Sequence, residues 1–185
     1  MIRRVGGNSR IAVLALEGPS PGLKDSYRSL VREFTDRGEP LVPFPLSFAN
    51  ENFEAFLAQL AGCAQGIGIP PGFVPHSTFW LVEGDEVVGV SNLRHRLTDA
   101  LRVEGGHIGY GIRPTARGRG LGREILRLTL AEARRRGIES VLLTCAKANA
   151  ASAAVIAANG GRLASEEFVA SRGEVLQRWW IGEEA

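Results

Sequence analysis

The apolar positions along the chain recur with two different periods, which divide the sequence into helices and strands. Apolar residues three and four positions apart are typical of amphipathic helices, whereas alternating or unbroken apolar runs that end at Gly, Pro or Asp are typical of strands. The helical spacing predicts four helices, over residues 23–37, 50–62, 120–136 and 149–159. The strand pattern predicts seven strands, over residues 10–17, 78–83, 86–93, 107–113, 140–145, 162–168 and 174–181.

The residues that begin and end these elements support the boundaries. Asn50 and Asn149 are the predicted N-caps of the second and fourth helices, and Gly84-Asp85 is a hairpin turn signal. A Gly- and Pro-rich loop at 62–77 and a polar excursion at 94–105 have neither period. The element order is therefore β-α-α-β-β-β-α-β-α-β-β. This order predicts one α/β (α+β) domain over residues 1–185, with a mixed central sheet of about seven strands flanked by about four helices.

The composition is that of an ordinary globular domain. The chain has 185 residues, of which 44% are hydrophobic and 23% charged, enough to bury a core without disulfide or metal staples. No apolar run reaches the length of about 18 residues that a membrane-spanning helix needs, and the N-terminus does not fit a secretory signal. Cys63 and Cys145 form neither a disulfide framework nor a zinc motif, and the three histidines are scattered. We therefore expect a cytoplasmic protein without a bound metal and without a membrane partner.

Positive charge is concentrated in one segment, although the net charge of the chain is only +2. Residues 113–136 contain eight arginines and two acidic residues, an excess of six positive charges. Such a segment raises the hypothesis of nucleic-acid binding. No aromatic residues accompany the arginines as a stacking platform, so we do not expect nucleic acid as a partner.

Glycines and arginines alternate in the loop between the strand at 107–113 and the helix at 120–136. Gly118, Gly120 and Gly122 would let the backbone approach a ligand closely, and the helix N-terminus adds unpaired N–H donors. Together with the arginines these groups favour an anion site suited to phosphate or pyrophosphate. The alternative to an anion site is that the loop is only a tight connection between the strand and the helix. The loop lacks the lysine of a P-loop and the G-x-G-x-x-G spacing of a dinucleotide fingerprint.

The segment 117–122 (RGRGLG) fits the pattern R/Q-x-x-G-x-G/A, and a second motif follows at Asn149, Ser152 and Gly160-Gly161. On these motifs and the element order, the sequence resembles the GNAT superfamily of acetyl-CoA-dependent N-acetyltransferases over nearly its whole length. It looks most like a branch of acetyltransferases with a GGHIGY strand, here 105–110, and an RH-x-L segment, here 94–97. The resemblance implies acetyl-CoA or coenzyme A as co-substrate, no metal, and a cofactor-binding core at about 78–168.

The resemblance also implies the residues that contact the cofactor. Backbone N–H groups of the 117–122 loop would hold the pyrophosphate, the strand ending at 112 and 113 would bind the pantetheine arm and the thioester oxygen, and the helix after Asn149 would contact the arm or the adenosine. The implied set is Ile112, Arg113, Arg117, Gly118, Arg119, Gly120, Leu121, Gly122, Arg123, Asn149 and Ser152.

The chemistry needs a proton acceptor for the attacking amine and a proton donor for the departing thiolate. For the base or proton relay we favour His107, whose free pKa lies near neutral pH, with Glu104 second. A structural role is the alternative for His107. Many family members place the acid at a tyrosine seven residues after the motif asparagine, and Ile156 stands there in this chain. Tyr110, Ser152 or water must then donate that proton, and Tyr110 is the third catalytic candidate.

The predicted function is transfer of an acetyl group from acetyl-CoA to a primary amine of a small molecule or amino-acid-like acceptor by direct attack. The alternative, suggested by Ile156, is a non-catalytic module that binds or senses coenzyme A. The acceptor is not identified. Arg94, His95 and Arg96 could bind an acidic group of the substrate or form an exposed charged turn. The oligomeric state stays open, although the family is commonly dimeric.

Overall fold

Seven strands form two antiparallel sheets in the computed structural model, which describes residues 13–182. The first sheet has the order β1-β2-β3-β4 and the second the order β5-β7-β6. The strands are β1 (Leu14–Glu17), β2 (His76–Glu83), β3 (Glu86–Arg94), β4 (Ile108–Ile112), β5 (Val141–Ala146), β6 (Arg162–Val169) and β7 (Glu174–Ile181). The helices are α1 (Lys24–Asp36), α2 (Phe53–Gln65), α3 (Asp99–Val103), α4 (Leu121–Arg135) and α5 (Ala150–Ala158).

The predicted fold class and strand number are confirmed, with some differences of detail. The strands divide into two sheets, and a short fifth helix, α3, lies in the 94–105 excursion, where the Thr98 hydroxyl accepts the Leu101 N–H. The predicted cap Asn50 is wrong: Asn52 caps α2 by accepting the Ala55 N–H at 3.1 Å. Residues 10–12 of the first predicted strand lie outside the described residues.

Two apolar layers sandwich the first sheet. On one face α1 and α2 pack on β2 and β3, where the Tyr27 ring stacks on Trp80 with centroids 4.8 Å apart. On the other face α4 contributes Ile125 and Leu126, both fully buried. None of the helices within residues 13–182 is long and apolar enough to cross a membrane.

The two sheets meet at β4 and β5, which are edge strands. The His107 N–H donates to the Leu142 carbonyl at 2.7 Å, just before β4 begins. Beyond this point, no strand within residues 13–182 pairs with this edge of β4. A gap therefore opens between the sheets next to residues 110–112.

The chain between α1 and the following 3₁₀ turn (Phe44–Ser47) crosses β4 as a strap, which we define as residues 40–44. Gly109 and Gly111 face the strap, and it lies so close that a Cβ built on Gly111 would be 2.1 Å from the Val42 carbonyl oxygen. At Gly109 the same construction gives 3.4 Å to the Pro43 Cβ. The strap thus rests directly on the β4 backbone.

Candidate functional site

A cleft of about 420 Å³ lies beside the free edge of β4. The end of β4 and the glycine-rich loop form one side of it, α5 a second, and the end of α1 with the strap a third. Of the predicted cofactor-binding residues, nine line the cleft: Ile112, Arg117, Gly118, Gly120, Leu121, Gly122, Arg123, Asn149 and Ser152. Arg113 and Arg119 do not line it.

The exposed edge of β4 offers main-chain hydrogen-bonding groups to the cleft. Arg113 donates its N–H to the Val88 carbonyl of β3 at 2.9 Å, and successive residues of a strand point these groups to opposite edges. The N–H groups of Tyr110 and Ile112 therefore point away from β3. The Ile112 carbonyl on the same edge accepts the Arg117 Nε–H at 3.2 Å. An extended ligand could hydrogen-bond along this edge as an added strand would.

The glycine-rich loop is built to receive an anion. Gly118 and Gly120 have φ of +78° and +79°, a backbone conformation that side chains disfavour, and a Cβ on either would meet only open space. Within residues 13–182, the N–H groups of residues 118–122 have no acceptor. The last of these belong to the first turn of α4, where the helix dipole adds partial positive charge.

The arginines of this segment differ in which groups their guanidiniums contact. Arg117 forms a two-pronged ion pair with Glu39 at the cleft wall, and its guanidinium lies 5.4 Å from the Phe34 ring centroid. Arg123 is exposed at the cleft. Arg119 is directed outward, where it pairs with Glu83 at 2.7 Å.

Arg113 is 4% exposed and is directed toward α1. Its guanidinium pairs with Glu33 at 2.8 Å and Glu86 at 3.2 Å, and it donates to the Ser26 carbonyl at 2.7 Å. Since its N–H is also bonded to Val88, neither its side chain nor its amide is free for a cofactor. A contact of Arg113 with cofactor stays a prediction that this geometry does not support.

Tyr110 and Ser152 face each other across the gap between β4 and α5. The Tyr110 hydroxyl lies 3.0 Å from the Ser152 Oγ, and both residues line the cleft. Burial raises the pKa of Tyr110 to about 12, despite the opposing hydrogen bond from Ser152. The hydroxyl is therefore protonated at neutral pH and able to donate. Asn149 caps α5 by accepting the Ser152 N–H at 3.0 Å, which fixes the start of this helix.

Ile156, one turn further along α5, is fully buried in the core between the second sheet and α4. It does not line the cleft. A buried apolar side chain therefore stands where the family resemblance implies a tyrosine as proton donor. The cleft contains a different pair of hydroxyl groups, those of Tyr110 and Ser152.

His107 and Glu104 lie apart from this pair. The His107 Nδ1 accepts the Leu142 N–H at 3.0 Å, and burial lowers the pKa of the ring to about 4, with Arg102 and Arg94 contributing. This geometry favours a structural role for His107 at the junction of the sheets. Glu104 lines a different cavity beyond the start of β4. Their catalytic roles stay predictions.

Sequence reasoning missed the α1 and strap side of the cleft, formed by Phe34, Glu39, Pro40 and Val42. These residues carry no motif, because the approach of the strap to β4 depends on the tertiary packing. No group of three or more His, Cys, Asp or Glu side chains in the described part of the chain is arranged to hold a metal ion.

Residues 32–162 match the family described as acetyltransferase (GNAT) domain. The sequence matches no curated protein significantly.

Three similar solved structures illustrate the fold. A RimL ribosomal L7/L12 α-N-protein acetyltransferase in complex with coenzyme A is 18% identical, with 91% of this chain and 93% of that chain covered and a TM-score of 0.68. Mycobacterium smegmatis RimJ in complex with CoA-disulfide is 18% identical, with 93% of this chain and 83% of that chain covered and a TM-score of 0.66. Vibrio cholerae spermidine N-acetyltransferase, a dodecamer, is 12% identical, with 91% of this chain and 93% of that chain covered and a TM-score of 0.60. At these identities the likeness establishes the fold.

Proposed function

Since the chain belongs to the family of acetyltransferase (GNAT) domains, we propose that its cleft binds acetyl-CoA and that the protein transfers the acetyl group to a primary amine by direct attack. The observation that carries this proposal is the row of N–H groups at residues 118–122, which find no acceptor in the described part of the chain and lie beside open space and a helix N-terminus. A pyrophosphate fits such a row, since it supplies acceptors and negative charge together. Bound acetyl-CoA would supply an activated acetyl thioester.

The chain's own groups then have separate tasks. The free edge of β4 would bind the pantetheine arm, and the N–H of Tyr110 or Ile112 would stabilise the negative charge that develops on the thioester oxygen. The Tyr110 hydroxyl, adjacent to Ser152, would donate the proton that the departing thiolate takes up, and the proton that the amine nitrogen loses on acetylation would return through solvent to the Tyr110 oxygen. Arg123 at the cleft would add charge for the cofactor phosphates.

The test of the cofactor site is calorimetry with coenzyme A on wild-type protein, Gly120→Asp and Gly137→Asp. Gly137 is the matched control, because it also has a positive φ (+75°) and open space at its Cβ position but lies at the other end of α4. We expect Gly120→Asp to weaken binding on the order of 100-fold or more through charge repulsion and steric block, and Gly137→Asp to bind like wild type. Equal affinity of both folded variants would refute the site.

Turnover separates the enzyme from the second candidate, a non-catalytic coenzyme A-binding module, which the burial of Ile156 favours. Amine-dependent release of the coenzyme A thiol supports the enzyme, whereas cofactor heat without release supports the module. The acceptor we expect is a small-molecule or amino-acid-like amine. The similar structures include acetyltransferases of a ribosomal protein and of spermidine, so the assay panel should contain peptides as well as polyamines. Cytoplasmic location and a homodimer remain expectations.

A further inference from the structure

A second cavity of about 380 Å³ lies at the opposite end of β4 from the cleft. The strap borders both, since Val42 lines the cleft and Phe44 lines the second cavity. Phe44 and Phe73 form an aromatic wall with ring centroids 5.6 Å apart. Val74 and Leu101 add further apolar surface. This lining suits an apolar or aromatic ligand body.

Arg94 brings a positive charge into this apolar cavity. Its Nη1 donates to the Gly105 and Gly106 carbonyls at 2.9 and 3.1 Å, and its guanidinium lies 5.6 Å from the Phe44 ring centroid. Among residues 13–182 its Nε and Nη2 have no acceptor and no carboxylate pairs with it. Burial lowers the pKa of Arg94 without an acid to offset the loss of hydration. The guanidinium thus retains donors for a negatively charged ligand.

His76 supplies a second donor from the floor of the cavity, where it is 2% exposed. The Asn92 amide nitrogen lies within hydrogen-bond distance of the Ser77 carbonyl and of the His76 Nδ1. Since that carbonyl can only accept, Asn92 donates in this cluster, His76 Nδ1 accepts, and the ring proton is on Nε2. Burial, with Arg94 and His95, lowers the pKa of His76 to about 4, so the ring is neutral at pH 7. Its Nε2–H finds no acceptor within the described residues.

The charged side chains that line the cavity indicate which class of anion it suits. Glu104 also lines the cavity and pairs with Arg172 at 3.5 Å. One guanidinium, one neutral imidazole donor and a nearby carboxylate suit a monoanion better than a phosphate dianion. We propose that this cavity binds the carboxylate of the acceptor substrate, held on an apolar or aromatic body by Arg94 and His76. This inference rests on the proposed acetyl transfer.

The separation of the two cavities limits the length of the acceptor. The four steps between the first and last residues of β4 span roughly 13 Å at about 3.3 Å per step, and the two cavities lie at opposite ends of this strand. An acceptor with its amine in the cleft and its carboxylate at Arg94 needs on the order of 10 Å between the two groups. A free α-amino acid is too short. A short peptide or an ω-amino carboxylate has the required length.

The test uses acceptors in matched pairs that differ only in the carboxylate: 6-aminohexanoate and its amide, and the tripeptide Ser-Ala-Phe as free acid and C-terminal amide. Thiol release from acetyl-CoA gives kcat/KM for each member. We expect the acid of at least one pair to be preferred on the order of 10- to 100-fold, as for a charge-assisted hydrogen bond. Acid-to-amide ratios near one for both pairs would overturn the proposal.

Variants at α3 probe the cavity without breaking the Arg94 contacts. Ala100 is exposed and lines the cavity, so Ala100→Glu places a competing carboxylate there, and Ala100→Gln has nearly the same shape without charge. Arg102→Gln makes the same change in net charge on the same helix but outside the cavity lining. We expect Ala100→Glu alone to abolish the preference for the acid, with coenzyme A affinity unchanged. A preference that survives in Ala100→Glu would refute the proposal.

The failure of this inference and the failure of the proposed function are distinguishable. Acids and amides turned over equally well, with normal coenzyme A binding, would refute the carboxylate pocket alone. No coenzyme A heat, or no thiol release with any amine, would refute the acetyltransferase. Heat from 6-aminohexanoate that Ala100→Glu removes, without turnover of that acid, would show a ligand other than the acceptor and would overturn the assignment to the substrate.

Discussion

Replacing Gly111 by alanine tests whether the strap is held against β4 by the absence of side chains. The new Cβ would lie 2.1 Å from the Val42 carbonyl oxygen and 3.2 Å from its carbon, and Phe34 would lie 3.4 Å away. An ordinary contact needs about 3.4 Å, so the strap must move by roughly 1.3 Å. Overpacking of this kind typically costs about 1–3 kcal/mol, partly offset by the 0.5–1 kcal/mol by which alanine is favoured over glycine in a strand.

Gly109→Ala is the matched control on the same strand and the same face. Its Cβ would meet Pro43 at 3.4 Å, an ordinary contact, so the strand preference for alanine should leave stability equal or slightly raised. Thermal unfolding measures the stability of both variants, and we expect Gly111→Ala to lower Tm by about 2–8 °C. Because the strap lines the cleft, coenzyme A affinity measured by calorimetry should fall in Gly111→Ala only. Equal stability and equal affinity of the two variants would refute the packing argument.

Three further predictions concern single side chains. Tyr110→Phe should lower kcat by about 10- to 100-fold and leave coenzyme A affinity unchanged, since only the donor hydroxyl is lost; steady-state kinetics with calorimetry measure both, and an unchanged kcat would remove Tyr110 from the mechanism. The pKa of His107 is about 4 in the folded protein, whereas the unfolded chain takes up this proton near pH 6.5, so the free energy of unfolding should fall as the pH drops from 6.5 to 4. Unfolding measured across this pH range should show a smaller fall in His107→Gln than in wild type. A large loss of kcat in folded His107→Gln would instead support catalysis. Glu33→Gln should lower the free energy of unfolding by about 1–3 kcal/mol at pH 7, because Arg113 loses its charged partner. Burial raises the pKa of Glu33, but hydrogen bonds from Thr115 and the charge of Arg113 outweigh burial and hold this pKa below 4.5. The difference in stability between Glu33→Gln and wild type should therefore be complete above pH 4.5 and vanish as the pH falls through the lowered pKa of Glu33, and a pH-independent difference would contradict this.

The elements with strong local signals were predictable from sequence. The Gly84-Asp85 turn joins β2 and β3 as expected, and α4 and α5 begin within a residue of their predicted starts, because glycine and asparagine determine the backbone there. The cap of α2 was misplaced by two residues, since Asn50 and Asn52 are equally good caps in sequence. Their roles differ only through tertiary contacts: the Asn50 carbonyl accepts from Arg28, and the Asn52 side chain caps the helix.

The site was predictable where the main chain makes it and not where side chains from distant segments do. The glycines of the loop imply their own conformation, so the row of N–H groups followed from the sequence. The direction of a side chain depends on what packs beside it. Arg113 is turned to Glu33 on α1, and His107 to Leu142 on β5, contacts 80 and 35 residues apart in the chain. No local pattern reports such pairings.

The excess of arginine at 113–136 shows how far linear charge differs from charge in space. Five of the eight arginines pair with glutamates, which come from α1, from the loop after it, from β2 and β3 and from α4 itself. The pairs are Arg113 with Glu33 and Glu86, Arg117 with Glu39, Arg119 with Glu83, Arg127 with Glu124 and Arg135 with Glu132. Since paired charges contribute little field at a distance, the linear excess of six positive charges overstates the charge that the segment presents. Attraction for an anion is then concentrated where unpaired main-chain N–H groups and Arg123 meet at the start of α4. A protein that depends on these groups should lose coenzyme A affinity only gradually with added salt, because few ions are displaced when main-chain donors make the contacts.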